Sequence, residues 1–255
     1  MVTVRVLTLA VLLACMASPL VHCQNQPPSP SGITRTVLAS APLASVVDAP
    51  RHFKLVSVRL SANQETAYSG PMGFVFVLDG ELDVSGDPTP QNLAKGDALF
   101  VAAGKRVSIA AGGKKPAAYL HFLLATAAEL GSPLENRPAV IQEVFRSQSP
   151  VPGLKAGPYE FTLVRVAFPP RFSANPPHHR SGAALYYINA GTGMITFDGK
   201  TEPRPAGAIQ YEPHDFVHYW ANPGGQALVM IQANLSQEGV PAVVFVQEPN
   251  KSPPK

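Results

Sequence analysis

Two stretches in the second half of the chain decide the fold. Residues 177–193 read PHHRSGAALYYINAGTG, and residues 207–222 read GAIQYEPHDFVHYWAN. Together they hold four of the seven histidines of the chain. In both, short apolar runs alternate with Gly, Pro, Asp and Asn, which is typical of short β-strands joined by tight turns.

The first half of the chain has the same pattern. Residues 35–56 align with residues 143–164, and residues 73–80 align with residues 184–191. Prolines, turn glycines and aromatic strand positions stay in register across the two alignments. A repeat of this length predicts an internal duplication, with one structural unit in each half.

Each copy is a series of short apolar segments, for example residues 74–78 and 99–102, and neither contains a long helical period. Regular short strands with frequent turn signals favour a sandwich or barrel. We therefore predict an all-β fold with two tandem barrels. They occupy residues 33–126 and 138–248 and are joined by a linker at residues 127–137.

Composition agrees with two folded domains. The chain has 255 residues, of which 45% are hydrophobic and 15% are charged, which is enough apolar material for two cores. The net charge is only +3, and the basic residues are scattered along the chain. A nucleic-acid-binding protein would cluster them on one face, so we expect no nucleic-acid partner.

The N-terminus has the features of a signal peptide. Arg5 precedes an apolar run at residues 6–14, and small residues with a proline follow it. The run is too short to span a bilayer, and no later segment qualifies. Cleavage after Cys23 predicts a leader at residues 1–23 and an exported protein. As an alternative, Leu-Leu-Ala-Cys resembles a lipobox that would leave Cys15 lipidated, but we favour simple secretion.

The only two cysteines, Cys15 and Cys23, lie in this leader. Removing it would exclude disulfides, thiolate zinc sites and cysteine nucleophiles. The Pro-rich residues 24–32 and the tail at residues 249–255 are predicted to be disordered.

The two histidine-containing stretches resemble the two motifs of the cupin superfamily. The first family motif reads His-x-His, a gap, Glu, six residues and Gly; the second contains Gly-Asp, Pro, His, three residues and Asn. The intervals from Ala184 to Gly191 and from His218 to Asn222 fit without gaps. Because the first copy shares the frame, the whole chain resembles a bicupin, whose domains are jelly-roll-type β-barrels.

The resemblance implies a divalent metal held by three histidines and one carboxylate inside the barrel. Here the first family histidine corresponds to Pro177, the second to His179 and the last to His218. The family glutamate corresponds to Ala184, which cannot bind a metal. Two of the four ligands are thus in register. Their alternative role is that of hydrogen-bonded polar residues at a barrel mouth.

His178 is a candidate replacement ligand. In a regular strand it would point away from His179 into solvent, unless Pro176 and Pro177 make the start of the strand irregular. His178, His179 and His218 would then hold one divalent transition metal (Fe, Mn, Cu, Ni or Zn). The matching positions of the first copy, Thr66, Tyr68, Gly73 and Val107, are poor ligands, so we expect no metal there.

Three further residues are candidates for ligand binding in the second barrel. By alternation from Ala184, Tyr186 should face inward and Tyr187 outward. Tyr211 is an aromatic candidate for lining the same pocket, although packing within a strand is the commoner role of such residues. Arg180 would bind an anionic group; its alternative is simple exposure to solvent.

Three functions remain open from the sequence. The leading one is an exported bicupin that binds a small molecule in its C-terminal barrel, with or without a metal. The second, by resemblance to cupin dioxygenases and isomerases, is a metal-dependent enzyme. The third is a structural or storage protein. The resemblance also implies a homodimer, because cupin barrels often pair through their sheets.

Overall fold

The structure, a computed structural model, describes residues 32–86, 91–131 and 139–246. These residues form strands and no helix, so none of them belongs to a helix able to span a membrane. The predicted leader, the Pro-rich segment up to residue 31, most of the linker and the tail lie outside the described residues. The all-β prediction is confirmed.

The described part of the first half contains β1 Thr34–Leu43, β2 Arg51–Leu60, β3 Glu65–Tyr68, β4 Met72–Asp79, β5 Glu81–Gly86, β6 Gln91–Ala94, β7 Ala98–Val101, β8 Val107–Ala111 and β9 Ala117–Thr126. The described part of the second half contains β10 Val140–Arg146, β11 Tyr159–Phe168, β12 His178–Arg180, β13 Ala183–Ala190, β14 Thr192–Phe197, β15 Lys200–Pro205, β16 Ile209–Glu212, β17 Tyr219–Ala221, β18 Leu228–Gln237 and β19 Val243–Phe245.

Two five-stranded antiparallel sheets dominate the molecule. Their orders are β10-β2-β9-β4-β7 and β1-β11-β18-β13-β16. Smaller sheets, β3-β8-β5-β6 in the first half and β15-β14-β17 with β12-β19 in the second, close each barrel. After the first strand of each large sheet, the remaining four strands follow the same order in both halves, β2-β9-β4-β7 and β11-β18-β13-β16.

The edge strands of the large sheets are exchanged between the halves. The strand β1 pairs along β11, from Thr34 opposite Ala167 to Leu43 opposite Tyr159. The strand β10 pairs along β2 in the same way. We therefore call β2–β10 the N-terminal barrel, and β1 with β11–β19 the C-terminal barrel.

Three hydrophobic cores follow from the alternation of side chains along the strands. On β11, Phe161 and Leu163 pack between the two large sheets, where they meet the equivalent face of the N-terminal barrel. Val164 and Val166 face the other way, into the interior of the C-terminal barrel. The third core fills the N-terminal barrel. Each fully buried side chain of this size contributes about 1.5–3 kcal/mol to folding.

Candidate functional site

The strand β12 brings His178 into the C-terminal barrel. As whole residues, His178 is 1% exposed and Arg180 is 2% exposed, whereas His179 between them is only partly buried. The expectation that His179 points inward and His178 outward is therefore wrong. Successive side chains of β12 do alternate between its two faces. Two 2.9 Å backbone hydrogen bonds hold His178 opposite His218, so His178 and not His179 faces inward.

On the outer side, His179 joins a separate surface cluster. Its Nδ1 lies 3.3 Å from one carboxylate oxygen of Asp215, and Nδ1 of His214 lies 2.8 Å from the other. The carboxylate of Asp215 is exposed to solvent. Of the three predicted metal ligands, the structure thus brings His178 and His218 together, with ring centroids 4.3 Å apart, and leaves His179 outside.

Glu212 lies in the interior of the C-terminal barrel and contacts the other buried polar groups there. The sequence did not predict it as a functional residue. It is fully buried on β16, directly opposite Ala184. A carboxylate therefore reaches the region of the lost family glutamate, but from the neighbouring strand. The available signal was a glutamate followed by proline at the end of a short strand.

Three groups contact this carboxylate. Nε of Arg180 donates to Oε2 at 2.9 Å, and Nε1 of Trp220 donates to Oε1 at 3.1 Å. Nε2 of His218 lies 2.7 Å from Oε1. Burial alone would raise the pKa of Glu212, but the charges of His218 and Arg180 outweigh it and hold the pKa well below its ordinary value. Glu212 is therefore a carboxylate anion at neutral pH.

The two inner histidines have defined ring orientations. Nδ1 of His178 donates to the carbonyl of Pro176 at 3.0 Å, and Nδ1 of His218 donates to the carbonyl of Phe216 at 2.8 Å. Burial, followed by the charge of Arg180, lowers the pKa of His178 to about 3, so this ring is neutral. In His218, Nδ1 faces the carbonyl of Phe216 and Nε2 faces the carboxylate of Glu212.

Tyr186 and Arg180 meet above this cluster. Tyr186 is buried, as the alternation predicts, and stacks on Trp220 with centroids 6.0 Å apart. The guanidinium carbon of Arg180 lies 5.3 Å from the centre of the Tyr186 ring. The hydroxyl of Tyr186 and Nη1 of Arg180 are buried without a hydrogen-bond partner among the described residues, as are side-chain oxygens of Gln232 and Asn234.

Tyr211 lies on the opposite face of the same sheet. It packs against Phe53 and Phe145, with ring centroids 5.9 Å and 5.7 Å away, in the core between the two large sheets. There it lines a groove of about 590 Å³ with residues 145–150, 152 and 213. The structure does not bring Tyr211 together with Tyr186. Tyr211 is opposite Leu185, the neighbour of Tyr186, and neighbouring positions of a strand face opposite sides of the sheet.

These barrel residues do not fit the metal centre that the family resemblance implies. A transition metal needs at least three converging ligands. Within the described ranges, no group of three or more His, Cys, Asp and Glu side chains is arranged to hold a metal ion. His179 faces away from the barrel interior. Arg180 forms an ion pair with Glu212 and so places a positive charge beside this carboxylate, which disfavours a metal cation there.

The C-terminal barrel has antiparallel strands and inward-facing histidines. Its sequence matches a known protein family. Residues 164–233 match the Cupin domain family. Two solved structures share the fold over most of the chain. AerE from Microcystis aeruginosa aligns at 17% identity and a TM-score of 0.53, covering 79% of this chain and 99% of its own.

A point mutant of Bacillus subtilis oxalate decarboxylase OxdC aligns at 15% identity and a TM-score of 0.54, covering 87% of this chain and 81% of its own. At such identities the similarity establishes the fold alone. No curated protein sequence matches the chain.

The cupin motif ends at Asn222, whose side-chain amide donates to the carbonyls of Pro169 and Gln226 at 2.9 Å and 2.8 Å. Asn222 thus has a structural role.

Proposed function

We propose that this chain is a two-domain cupin protein whose C-terminal barrel binds a small molecule directly through its own side chains. The observation that carries the proposal is the pair of unpartnered donors in the barrel interior, the hydroxyl of Tyr186 and Nη1 of Arg180, which have no partner among the described residues. A buried polar group without a partner costs about 1–3 kcal/mol, so natural proteins rarely keep several together. A bound polar molecule would satisfy them.

The surrounding side chains would favour such a molecule over bulk water. Tyr186 and Trp220 form an aromatic wall, and the buried apolar side chains of the C-terminal core surround it. A few convergent polar groups within an apolar lining are typical of small-molecule sites. The polar groups give orientation, and the apolar lining gives affinity.

A binding screen with a matched pair of variants tests this proposal. Trp220 is the only tryptophan, so its fluorescence reports on the wall of the site. A panel of small polar and aromatic compounds should contain members that change this fluorescence. Tyr186→Phe should weaken their binding by roughly fivefold, the value of one hydrogen bond. Tyr187→Phe, on the other face, should not; equal effects of both variants would refute the site.

The rival function is a metal-dependent enzyme. It is favoured by His178 and His218, which each donate Nδ1–H to a backbone carbonyl, as metal-binding histidines commonly do. It is opposed by the ion pair between Arg180 and Glu212. Metal content measured by mass spectrometry, beside a His178→Ala/His218→Ala variant, decides between them. About one metal per chain, lost in the variant, would overturn direct binding.

We also propose that the chain is exported and that its halves arose by duplication. The apolar run after Arg5 supports export, and the shared strand order of the two large sheets supports duplication. N-terminal sequencing of protein from the host's extracytoplasmic fraction should read from Gln24. A lipidated Cys15 at the N-terminus would instead establish the lipoprotein alternative, and an intact Met1 would exclude both.

A further inference from the structure

We infer that the molecule bound in the C-terminal barrel is a small carboxylate anion, and that Arg35 of the exchanged strand β1 completes its binding site. This inference rests on the proposed binding function and adds the chemical class of the ligand. It also makes a residue at the start of the chain part of a site whose other members lie at positions 178–234.

The position of Arg35 follows from strand register. Arg35 is paired directly opposite Val166 on β11, and side chains of opposed residues in antiparallel strands lie on the same face. Val166 belongs to the core inside the C-terminal barrel, as does Ile33, two residues before Arg35. Arg35 is half-buried, so its side chain extends into the barrel from the edge that β1 closes.

The electrostatic environment places Arg35 near the Glu212 cluster. Burial, and next the positive charge of Arg180, lower the pKa of Arg35 to about 10, while the charge of Glu212 partly offsets them. Arg35 remains protonated at neutral pH. Two guanidinium groups therefore repel one another in this barrel.

The charges of the barrel interior do not balance. Glu212 is the only buried acidic residue within residues 32–86, 91–131 and 139–246. Two guanidinium groups accompany it: the Arg180 side chain, which pairs with it, and the half-buried Arg35. A buried net positive charge is costly, so an anionic ligand would be stabilised by the excess.

The donors without partners select the type of anion. A guanidinium can only donate, and Nη1 of Arg180 has no acceptor among the described residues. Nη1 can donate to one oxygen of a carboxylate, and the hydroxyl of Tyr186 supplies a second donor. The aromatic wall of Tyr186 and Trp220 would accommodate the apolar part of a small organic acid.

The test compares carboxylates with their neutral amides on the full-length chain. Acetate, oxalate and benzoate are titrated by calorimetry beside acetamide, oxamide and benzamide, with inorganic phosphate as a further anion. At least one carboxylate should bind about tenfold or more tightly than its amide, because hydrogen bonds to charged groups exceed neutral ones. Arg35→Met should remove most of that preference, and Arg35→Lys should restore part of it.

Arg165→Met is the matched control, because Arg165 lies beside Val166 on β11 but is exposed. It should leave carboxylate affinity unchanged, and circular dichroism should show that all variants are folded. If neutral compounds bind and no anion does, the carboxylate inference fails while the binding function stands. If Arg35→Met binds like the wild type, Arg35 is no part of the site. Phosphate binding in place of carboxylates would overturn the assigned class. If nothing binds, both proposals fail.

Discussion

Replacing Glu212 by glutamine should destabilise the protein more than any change of comparable size on its surface. The substitution keeps the shape of the side chain and an oxygen for Trp220 Nε1. It removes the negative charge that pairs with Arg180 at 2.9 Å and with His218 at 2.7 Å, where all three side chains are buried. Leaving such a buried cation without its partner costs about 3–5 kcal/mol.

The loss is large enough to be measured without ambiguity. For a protein of this size, each kcal/mol lowers the midpoint of thermal unfolding by about 2–4 °C, so Glu212→Gln should lower it by at least roughly 6 °C. Urea unfolding followed by the fluorescence of Trp220 and by circular dichroism measures the free energy. Trp220 lies in the same barrel and reports on it directly.

Two further variants isolate the cause. Glu202→Gln breaks an ion pair with Arg204 of 2.7 Å, but the Glu202 side chain is 43% exposed, so this control should lose about 1 kcal/mol or less. Adding Arg180→Met to Glu212→Gln removes the orphaned charge and should recover stability relative to the single variant. If Glu212→Gln costs no more than Glu202→Gln, the buried ion cluster does not exist as described.

Other predictions concern pH, packing and the exchanged strand. Burial lowers the pKa of His121 to about 3, so near neutral pH and below the unfolded chain binds a proton that the folded chain does not. The free energy of unfolding should therefore fall as pH drops below about 6.5. Urea titrations at several pH values should show that His121→Phe makes the free energy of unfolding depend less on pH. Gly73→Ala should cost about 1–3 kcal/mol, because its Cβ would clash with the backbone carbonyl oxygen of Phe122 in β9, whereas Gly225→Ala meets open space and should be neutral in the same assay. Deleting residues 1–43 removes β1 and should lower the urea midpoint reported by Trp220; an unchanged midpoint would contradict the pairing with β11.

The fold could be predicted because it depends on local and repeated signals. Turn residues and short apolar runs recur in both halves, and each strand carries its own pattern of alternation. Tyr186 illustrates this: its inward direction follows from counting along β13, and the structure places it in the barrel core. Such a count works wherever a strand is long and regular.

The site was harder to predict because it depends on pairing between strands. The strand β12 has three residues after two prolines, so its pairing with β19 and with His218 decides that His178 faces inward. Glu212 lies beside Ala184 because the two are opposed in register, which no motif within one segment contains. Arg35 enters through an exchange between halves that alignment of the two copies does not reveal.

The exchange of β1 and β10 also has consequences for how the chain is made. When the ribosome has completed residues up to 131, β1 still lacks β11, and the outer edge of β2 lacks β10. An open sheet edge readily pairs with another chain, so a nascent or truncated first half should be prone to self-association. Expressed as two fragments cut between residues 131 and 139, each half would carry one strand that belongs to the other. The pair should therefore reassociate on mixing, although neither fragment forms a complete barrel alone.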